Sequence, residues 1–378
     1  MAERRIPIAV PVLGDAELEA LREPLADGWL TQGPRVARFE RTFAGRIGVK
    51  HALATSNCTA SLHLILLALG VGPGDEVIVP GFTWVATANV VEQVGATLVF
   101  ADIDPRTYNL DAETVRRVCS TRTKAVIAVH LFGLCADVPA IAQATGVPVI
   151  EDAACAVGSW LGDRPAGSLG LAGAFSFHPR KIITTGEGGM VTTDDPKLAA
   201  TVDSLRNHGA SIPEEVRHLS QQPWRLPAFE LAGLNYRMTD LQGAMGNVQL
   251  DRLDGLLAER RQRAAWYREQ LGSIPWLTLP EEPRHGRHGW QAFVCRVDPA
   301  IAPLPRDQLM ERLQAQGIAT RPGTHAVPDL GFYRRRYPAA AAACGQSLAA
   351  ETQTLAIPLH GRMSDEDYQH VVRCLHAC

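Results

Sequence analysis

The chain is almost without lysine. Among its 378 residues only Lys50, Lys124, Lys181 and Lys197 occur, against 33 arginines. Generic positive charge is therefore guanidinium, and a lysine inside a motif suggests a need for a primary amine, which can form an imine where guanidinium cannot. Long apolar runs are missing as well. The longest candidate, Leu62 to Leu69, falls short of the ~18–20 residues that cross a bilayer, so no membrane association is expected. Basic excess is absent: 37 Lys and Arg against 40 Asp and Glu leave a formal charge of −3, which makes nucleic acid an unexpected partner. Metal-type spacing is absent too. The eight cysteines are scattered without a CxxC pair, and Cys135 and Cys295 sit in apolar runs; reduced, mostly buried thiols and no metal site are expected. Glu3, Arg4 and Arg5 precede Ile6 to Leu13, which breaks at Gly14 and Asp15. That run is too short and too proline-rich for a secretory signal, and the expected compartment is the cytoplasm. There is no repeat or low-complexity tract.

What remains is an ordinary globular composition, 46% hydrophobic and 20% charged, at a length that predicts two domains. Val- and Ile-rich runs at Glu76 to Pro80, Thr97 to Asp102, Ala125 to Leu131 and Val147 to Asp152 alternate with amphipathic segments such as Leu110 to Val118 and Val138 to Ala144. This pattern predicts βα units around a parallel sheet, with Asp102, His130 and Asp152 at the strand ends where ligands collect. Past Thr193 the strand signal fades. Asp240 to Glu269 reads as one helix bridging the domains, with Leu241, Met245, Val248, Leu250, Leu253, Leu256 and Leu257 on its apolar side. Strand-like Ala292 to Val297 and helical Arg306 to Gln316 and Asp365 to Leu375 predict a smaller α+β unit. The expected division is an N-terminal arm over residues 1–30, a large domain over 31–250, and the bridging helix with a small C-terminal domain over 251–378.

Four motifs in the first half carry chemistry. Thr55-Ser56-Asn57-Cys58-Thr59 leads into a helix over Ala60 to Leu69; free amides and small hydroxyls at a helix start suit a phosphate, though ordinary N-capping accounts for the same residues. Phe82 and Trp84 follow a buried strand, placed to stack on a ring ligand or simply to pack over the sheet. Val147 to Ile150 ends in Glu151 and Asp152, where a carboxylate could hold a protonated heteroaromatic nitrogen or merely accept turn amides. The most specific is Ser176-Phe177-His178-Pro179-Arg180-Lys181 running into Thr184-Thr185-Gly186-Glu187-Gly188-Gly189. There a scarce lysine lies between an aromatic strand and a glycine turn.

Those motifs, the Glu-Asp-Ala-Ala strand end and Gly233-Leu234-Asn235-Tyr236-Arg237-Met238 resemble the DegT/DnrJ/EryC1/StrS sugar aminotransferases over nearly the whole chain. The resemblance implies the α/β architecture of fold-type I enzymes, similar to aspartate aminotransferase: a large domain with a mostly parallel seven-stranded sheet and a smaller α+β C-terminal domain. It also implies pyridoxal 5′-phosphate (PLP) as cofactor, a homodimer with shared active sites, and amino transfer from L-glutamate to a keto sugar, most often nucleotide-linked.

On this resemblance Lys181 is the Schiff-base lysine, its amine kept neutral by desolvation and nearby cations. Asp152 sits on the pyridine nitrogen and Trp84 stacks near the ring. Cys58 and Thr59 hold the phosphate, with Ser176 adding a hydroxyl and Asn235 arriving from the second subunit or, alternatively, capping a local turn. Two positions depart from the common pattern. Cys58 replaces glycine, and its thiol pKa is expected to be lowered at the helix start; Cys155 replaces a glutamine or histidine that would contact cofactor or substrate. Relatives with histidine in place of the lysine are dehydratases, so Lys181 implies transamination. The Thr-Thr-Gly-Glu-Gly-Gly turn resembles enzymes acting at sugar C4, such as perosamine synthases; aminocyclitol-forming relatives that use a scyllo-inosose-type ketone share much of it. Arg321 and His325, in Thr320 to His325, resemble the substrate mouth. Arg284, His285, Arg287 and His288 read as a flexible basic loop, solvated or else folding over an anionic nucleotide, and Arg334 to Arg336 as a solvated helix face. A PLP-binding regulator without turnover and a nucleotide-binding α/β module without PLP are the alternatives from other classes.

Overall fold

The structure, a computed structural model, describes residues 5–378 apart from 213–216, 218, 219, 223, 283 and 284. Glu3, Arg4 and Arg284 lie outside the described residues.

Seven strands form the central sheet: β1 His51–Thr55, β2 Glu76–Pro80, β3 Thr97–Ala101, β4 Thr123–Val129, β5 Val149–Asp152, β6 Ala172–Ser176 and β7 Gly189–Thr193. Their spatial order is β1-β7-β6-β5-β4-β2-β3. All pairings are parallel except the two made by β7, which runs antiparallel to both β1 and β6. Of the inner strands, β2, β5, β6 and β7 are buried at every residue and β4 at all but Lys124, as a sheet covered on both faces requires. One face packs on the Cys58–Ala68 helix, whose Leu62, Leu64, Ile65 and Leu66 are buried. Next to the other, Phe39 and Phe43 of the Pro34–Ile47 helix meet Phe175 and Phe177 at ring separations of 5.0–5.6 Å.

The reversal of β7 sets the site. Thr55 ends β1, pairs with Gly189 at the start of β7, and Gly189 pairs with Ser176 at the end of β6. Asp152, at the end of β5, pairs with Val129 and Ala174. The loop 177–188 that carries Lys181 thus leaves and re-enters the sheet at the same edge as these strand ends. Gly189 has to be glycine for this: a Cβ there would collide with the backbone of Asn57.

The segment expected as one helix is two, Asp240–Asp251 and Leu253–Leu271, meeting at Arg252. The first half buries Gly243, Ala244, Gly246 and Leu250 with two amides, Asn247 and Gln249, while Leu241, Met245 and Val248 are only half-buried. Close approach explains the difference: a Cβ on Gly243 would stand 2.6 Å from the Val36 nitrogen, so the contact with the Pro34–Ile47 helix runs along small residues. In the second helix Leu253, Leu256 and Leu257 join the large-sheet core, whereas Ala264, Tyr267 and Leu271 join a second core with Phe293, Leu355 and Leu375. That second core covers a three-stranded antiparallel sheet of Leu277–Thr278, Phe293–Val297 and Thr354–Ile357. Arg260 of the same helix donates to the carbonyls of Trp290 (3.0 Å) and Leu359 (3.1 Å), both in that second core.

Three further expectations are corrected. Among the eight free thiols Cys58, Cys295 and Cys344 are buried, while Cys135 and four others are half-buried. Asp102 is no ligand site; it accepts from Gln346 N, Ser347 N and Ser347 Oγ and so anchors the start of the Gly345–Gln353 helix. The basic loop is not free in solvent, because Gly286–Arg287 pairs antiparallel with Trp160–Leu161 and Arg287 lies over the Trp160 ring. His288 is buried, stacked on Trp290 at 4.0 Å, and its Nδ1 accepts from Trp290 N at 2.8 Å. Arg334 to Arg336 are exposed.

Burial of His288 pushes its imidazole down to about 3, below its unfolded value, so the unfolded chain binds the extra proton first as pH falls. Stability from this group is complete above about pH 6.5 and is lost toward pH 3, at a slope approaching ~1.4 kcal/mol per pH unit. Urea titrations across that window will show a shallower acid loss in His288→Phe than in the parent; equal slopes would contradict the assignment.

Candidate active site

A cavity of about 1000 Å³ opens at this sheet edge. Its floor is built by β5 and β6 and by the loop to β7, one wall by the start of the Cys58–Ala68 helix, and its rim by the turn at Trp84 and the segment Arg321 to His325.

Asp152 is buried at 6% exposure. Its Oδ2 accepts from Thr87 Oγ1 at 2.8 Å, and Oδ1 from Ala154 N at 3.2 Å. Two donors from different elements fix the carboxylate's plane. Thr87 itself meets Thr83 Oγ1 at 3.3 Å. Neighbouring Glu151 points to the opposite face, as strand alternation demands. It accepts from the amides of Gly167 (2.6 Å), Leu169 and Gly170 (both 2.7 Å) and bonds His130 Nε2 at 2.8 Å. His130 is therefore consumed within the fold, with Nδ1 accepting from Ala136 N, and is not at the cavity as its strand-end position suggested. Period-two alternation could have separated Glu151 from Asp152 in the sequence.

Lys181 is half-buried on the cavity wall, and its Nζ donates to Cys155 Sγ at 3.1 Å. Burial pulls the ammonium pKa down, but Cys155, Cys58 and Asp152 together outweigh it and hold it above the ordinary lysine value. The neighbours that set its charge are thus thiols and a carboxylate, where cations were expected. His178 lies three residues before it, with Nδ1 accepting from Arg180 N. Its pKa is lowered chiefly by burial, with Arg180 and Lys181 acting in the same direction against the pull of Glu187.

The helix start is capped by Asn57, whose side chain accepts from Ala60 N at 2.8 Å. Capping therefore does not use Thr59, whose hydroxyl has no partner among the described residues and lines the cavity. The Cys58 and Thr59 amides belong to the unpaired first turn. The Cys58 thiol turns inward, donating to Ala174 O at 3.4 Å and lying 3.9 Å from Asp152. Burial, then the Asp152 charge, pushes its pKa well above the usual thiol value, the reverse of the lowering expected at a helix start. Ser176 lines the cavity, its Oγ accepting from His178 N at 3.4 Å.

Trp84 is 57% exposed at the rim, 5.8 Å from the His325 ring. The contact has a backbone cause: His325–Ala326 pairs antiparallel with Phe82–Thr83, which brings the second half of the chain over the first. Arg321 is exposed at the same rim, anchored by backbone pairing with Ala356. Of the residues that the resemblance assigns to the site, Asn235 is the one that this protomer does not bring to the cavity. It is exposed and paired through its backbone with Asn207, while the next residue, Tyr236, lines the cavity and accepts from Ser56 N at 2.8 Å. Sequence reading missed the roles of Thr87, His130 and Tyr236; the Thr83/Thr87 spacing at a helix start is the signal that could have found the first. Among the described residues no cluster of three His, Cys, Asp or Glu could hold a metal, and no helix is long and apolar enough to cross a membrane.

An amine beside a buried, doubly fixed carboxylate, an open helix start with a free hydroxyl, and an exposed indole above them fit a phosphorylated pyridine aldehyde, and they define a PLP-dependent transaminase. The chain belongs to the DegT/DnrJ/EryC1/StrS aminotransferase family, whose model matches residues 11–376. It is 39% identical over 376 residues to the spore coat polysaccharide biosynthesis protein SpsC of Bacillus subtilis, covering 98% of this chain and 96% of that one. It is also 39% identical over 379 residues to the GDP-perosamine synthase of Caulobacter vibrioides, covering 98% and 97%. Spr1654 of Streptococcus pneumoniae, solved in PLP and PMP forms, superposes with a TM-score of 0.91 at 26% identity, covering 99% of this chain and 98% of that one. The protein is accordingly a sugar aminotransferase with PLP as its cofactor, which sets aside the nucleotide-binding module without PLP.

Asp152→Ala will cut turnover about 10²–10³-fold, the scale for losing one preorganised electrostatic group. Thr87→Val, which removes a single donor to the same carboxylate, will cost about tenfold. Steady-state kinetics with melting curves check both; full activity of Asp152→Ala in folded protein would contradict the site.

Proposed function

We propose that the enzyme takes the amino group of L-glutamate and installs it at the C4 ketone of a nucleotide-linked 4-keto-6-deoxyhexose, in amino-sugar biosynthesis. The observation that carries this reading is the breadth and lining of the cavity. About 1000 Å³ lies at the upper end of small-molecule sites and exceeds what a lone dicarboxylate needs. Arg180, Arg321 and His325 supply cationic or titratable groups at the rim and Trp84 an exposed ring face, suited to a diphosphate and a sugar. The name of the Caulobacter relative, a GDP-perosamine synthase, supports a nucleotide-linked substrate.

Bound PLP supplies the electron sink that lets nitrogen pass from donor to ketone. Lys181 carries the cofactor between turnovers and, once released, moves the proton: its Nζ takes one from the donor α-carbon and delivers one to the sugar carbon that receives nitrogen. Asp152 holds the positive ring nitrogen. The Cys58 and Thr59 amides, the Thr59 hydroxyl and Ser176 hold the phosphate. Cys155 lies beside Lys181, where it borders both cofactor and substrate. Asn235, exposed on its own protomer, completes the phosphate site of the partner in a homodimer. The exposed apolar side chains Trp224, Leu226, Phe229 and Leu231 in the same stretch support burial of that segment in an assembly.

The test is a panel of keto substrates offered to glutamate-treated enzyme while the visible cofactor spectrum is followed. A nucleotide-linked 4-keto-6-deoxyhexose will restore the PLP spectrum at least about 10²-fold faster than scyllo-inosose or a free keto sugar. Preference for the cyclitol ketone would overturn the substrate assignment, and no response to glutamate with any ketone would mark a cofactor-binding regulator instead.

A further inference from the structure

Two cysteines face the cavity, and they differ in what their sulfur can reach. Cys58 turns toward Ala174 O and Asp152, and burial with that negative neighbour keeps its thiol protonated. Cys155 is half-buried on the cavity wall with Lys181 Nζ 3.1 Å from its sulfur. Lys181 is the only lysine on that wall, and the cavity leaves the pair open to small solutes. A thiol held against an amine at this distance is arranged to form a nitrogen–sulfur bond without moving the backbone.

We propose that Cys155 and Lys181 form an oxidation site, closing to a sulfenamide when a hydroperoxide enters the cavity while the lysine is free of cofactor. The Cys155 sulfur attacks one peroxide oxygen and the O–O bond breaks; the leaving hydroxide takes up the proton shared by the thiol and the Lys181 amine and departs as water, leaving a sulfenic acid beside a neutral amine. The Lys181 amine then attacks that sulfur; the N–S bond forms, the S–O bond breaks, and the hydroxyl departs with an amine proton as water. Overall one thiol, one amine and one hydrogen peroxide give one sulfenamide and two waters, the sulfur losing two electrons and the peroxide gaining them. An external thiol reverses the step by attacking the sulfur and releasing the amine. Because Lys181 is committed to the cofactor in the PLP form and released in the glutamate-treated form, the two forms differ in susceptibility. Oxidant would stop the enzyme in the half of its cycle in which it waits for the ketone.

The experiment treats whole enzyme, in its PLP and glutamate-treated forms, with hydrogen peroxide and maps peptides by mass spectrometry with and without dithiothreitol. The expected product joins the Cys155 and Lys181 peptides at about 2 Da below the sum of the two, arises chiefly in the glutamate-treated form, and disappears with dithiothreitol. After removal of the amino form of the cofactor, the oxidised protein will lose at least about nine-tenths of its PLP uptake, read by absorbance, and dithiothreitol will restore it. Lys181→Arg, which keeps the positive charge, will leave Cys155 to accumulate added oxygen with no link. A parent protein in which Cys155 gains only oxygen, or in which the link forms at Cys58, would overturn the proposal. These readouts use no sugar, so a wrong substrate assignment and a wrong oxidation site fail separately.

Discussion

The structure depends on one constraint: an amine and a carboxylate from different βα units have to meet at a single edge of the sheet. Parallel strands alone would send the chain after β6 back through a crossover to the far edge before the next strand began. Running β7 antiparallel removes that requirement. The chain leaves β6 at Ser176 and re-enters at Gly189 directly beside it, and everything between, Lys181 included, stays at the edge where Asp152 ends β5. Gly189 permits this because its missing side chain lets the turn rest on Asn57.

Around that meeting point the chain spends its buried polar groups on orientation. Asp152 is clamped by Thr87 and Ala154, while Glu151 on the other face gathers three amides and His130. The second arrangement touches no ligand, yet it locks the loop through Gly170 that leads into β6 and so the relative position of β5 and β6. Buried carboxylates are costly unless fully bonded, and both acids here meet that condition in ways that serve position as well as stability. The small sheet contributes by different means. Pairing of His325–Ala326 with Phe82–Thr83 brings its loop onto Trp84, so the rim is assembled from both halves of the chain.

Much of this was legible in the sequence, for definite reasons. β2 matches its expected bounds, and β3 and β4 are displaced by one or two residues, because buried Val- and Ile-rich runs bounded by turn residues have few other readings. Lys181 stood out through the scarcity of lysine, and the strand end at Asp152 through the abrupt switch from apolar to acidic. The corrections share a cause as well: each turned on a contact between distant segments. Nothing near His288 in sequence announces that Gly286–Arg287 will pair with Trp160–Leu161, and the buried stripe of Asp240–Asp251 follows glycines chosen for a neighbouring helix rather than its leucines. The direction of the Cys58 pKa reversed because the thiol is buried and faces Asp152, 94 residues away, surroundings that local reasoning about helix starts does not see.

The central claim is that the cofactor is carried by Lys181 against Asp152. Borohydride reduction of the yellow enzyme followed by peptide mapping tests it directly, because reduction fixes the cofactor to whichever amine holds it. The account predicts a single pyridoxyl group on the peptide containing Lys181, and its absence when glutamate is added first. A label on Lys50, Lys124 or Lys197, or no label on coloured enzyme, would contradict it.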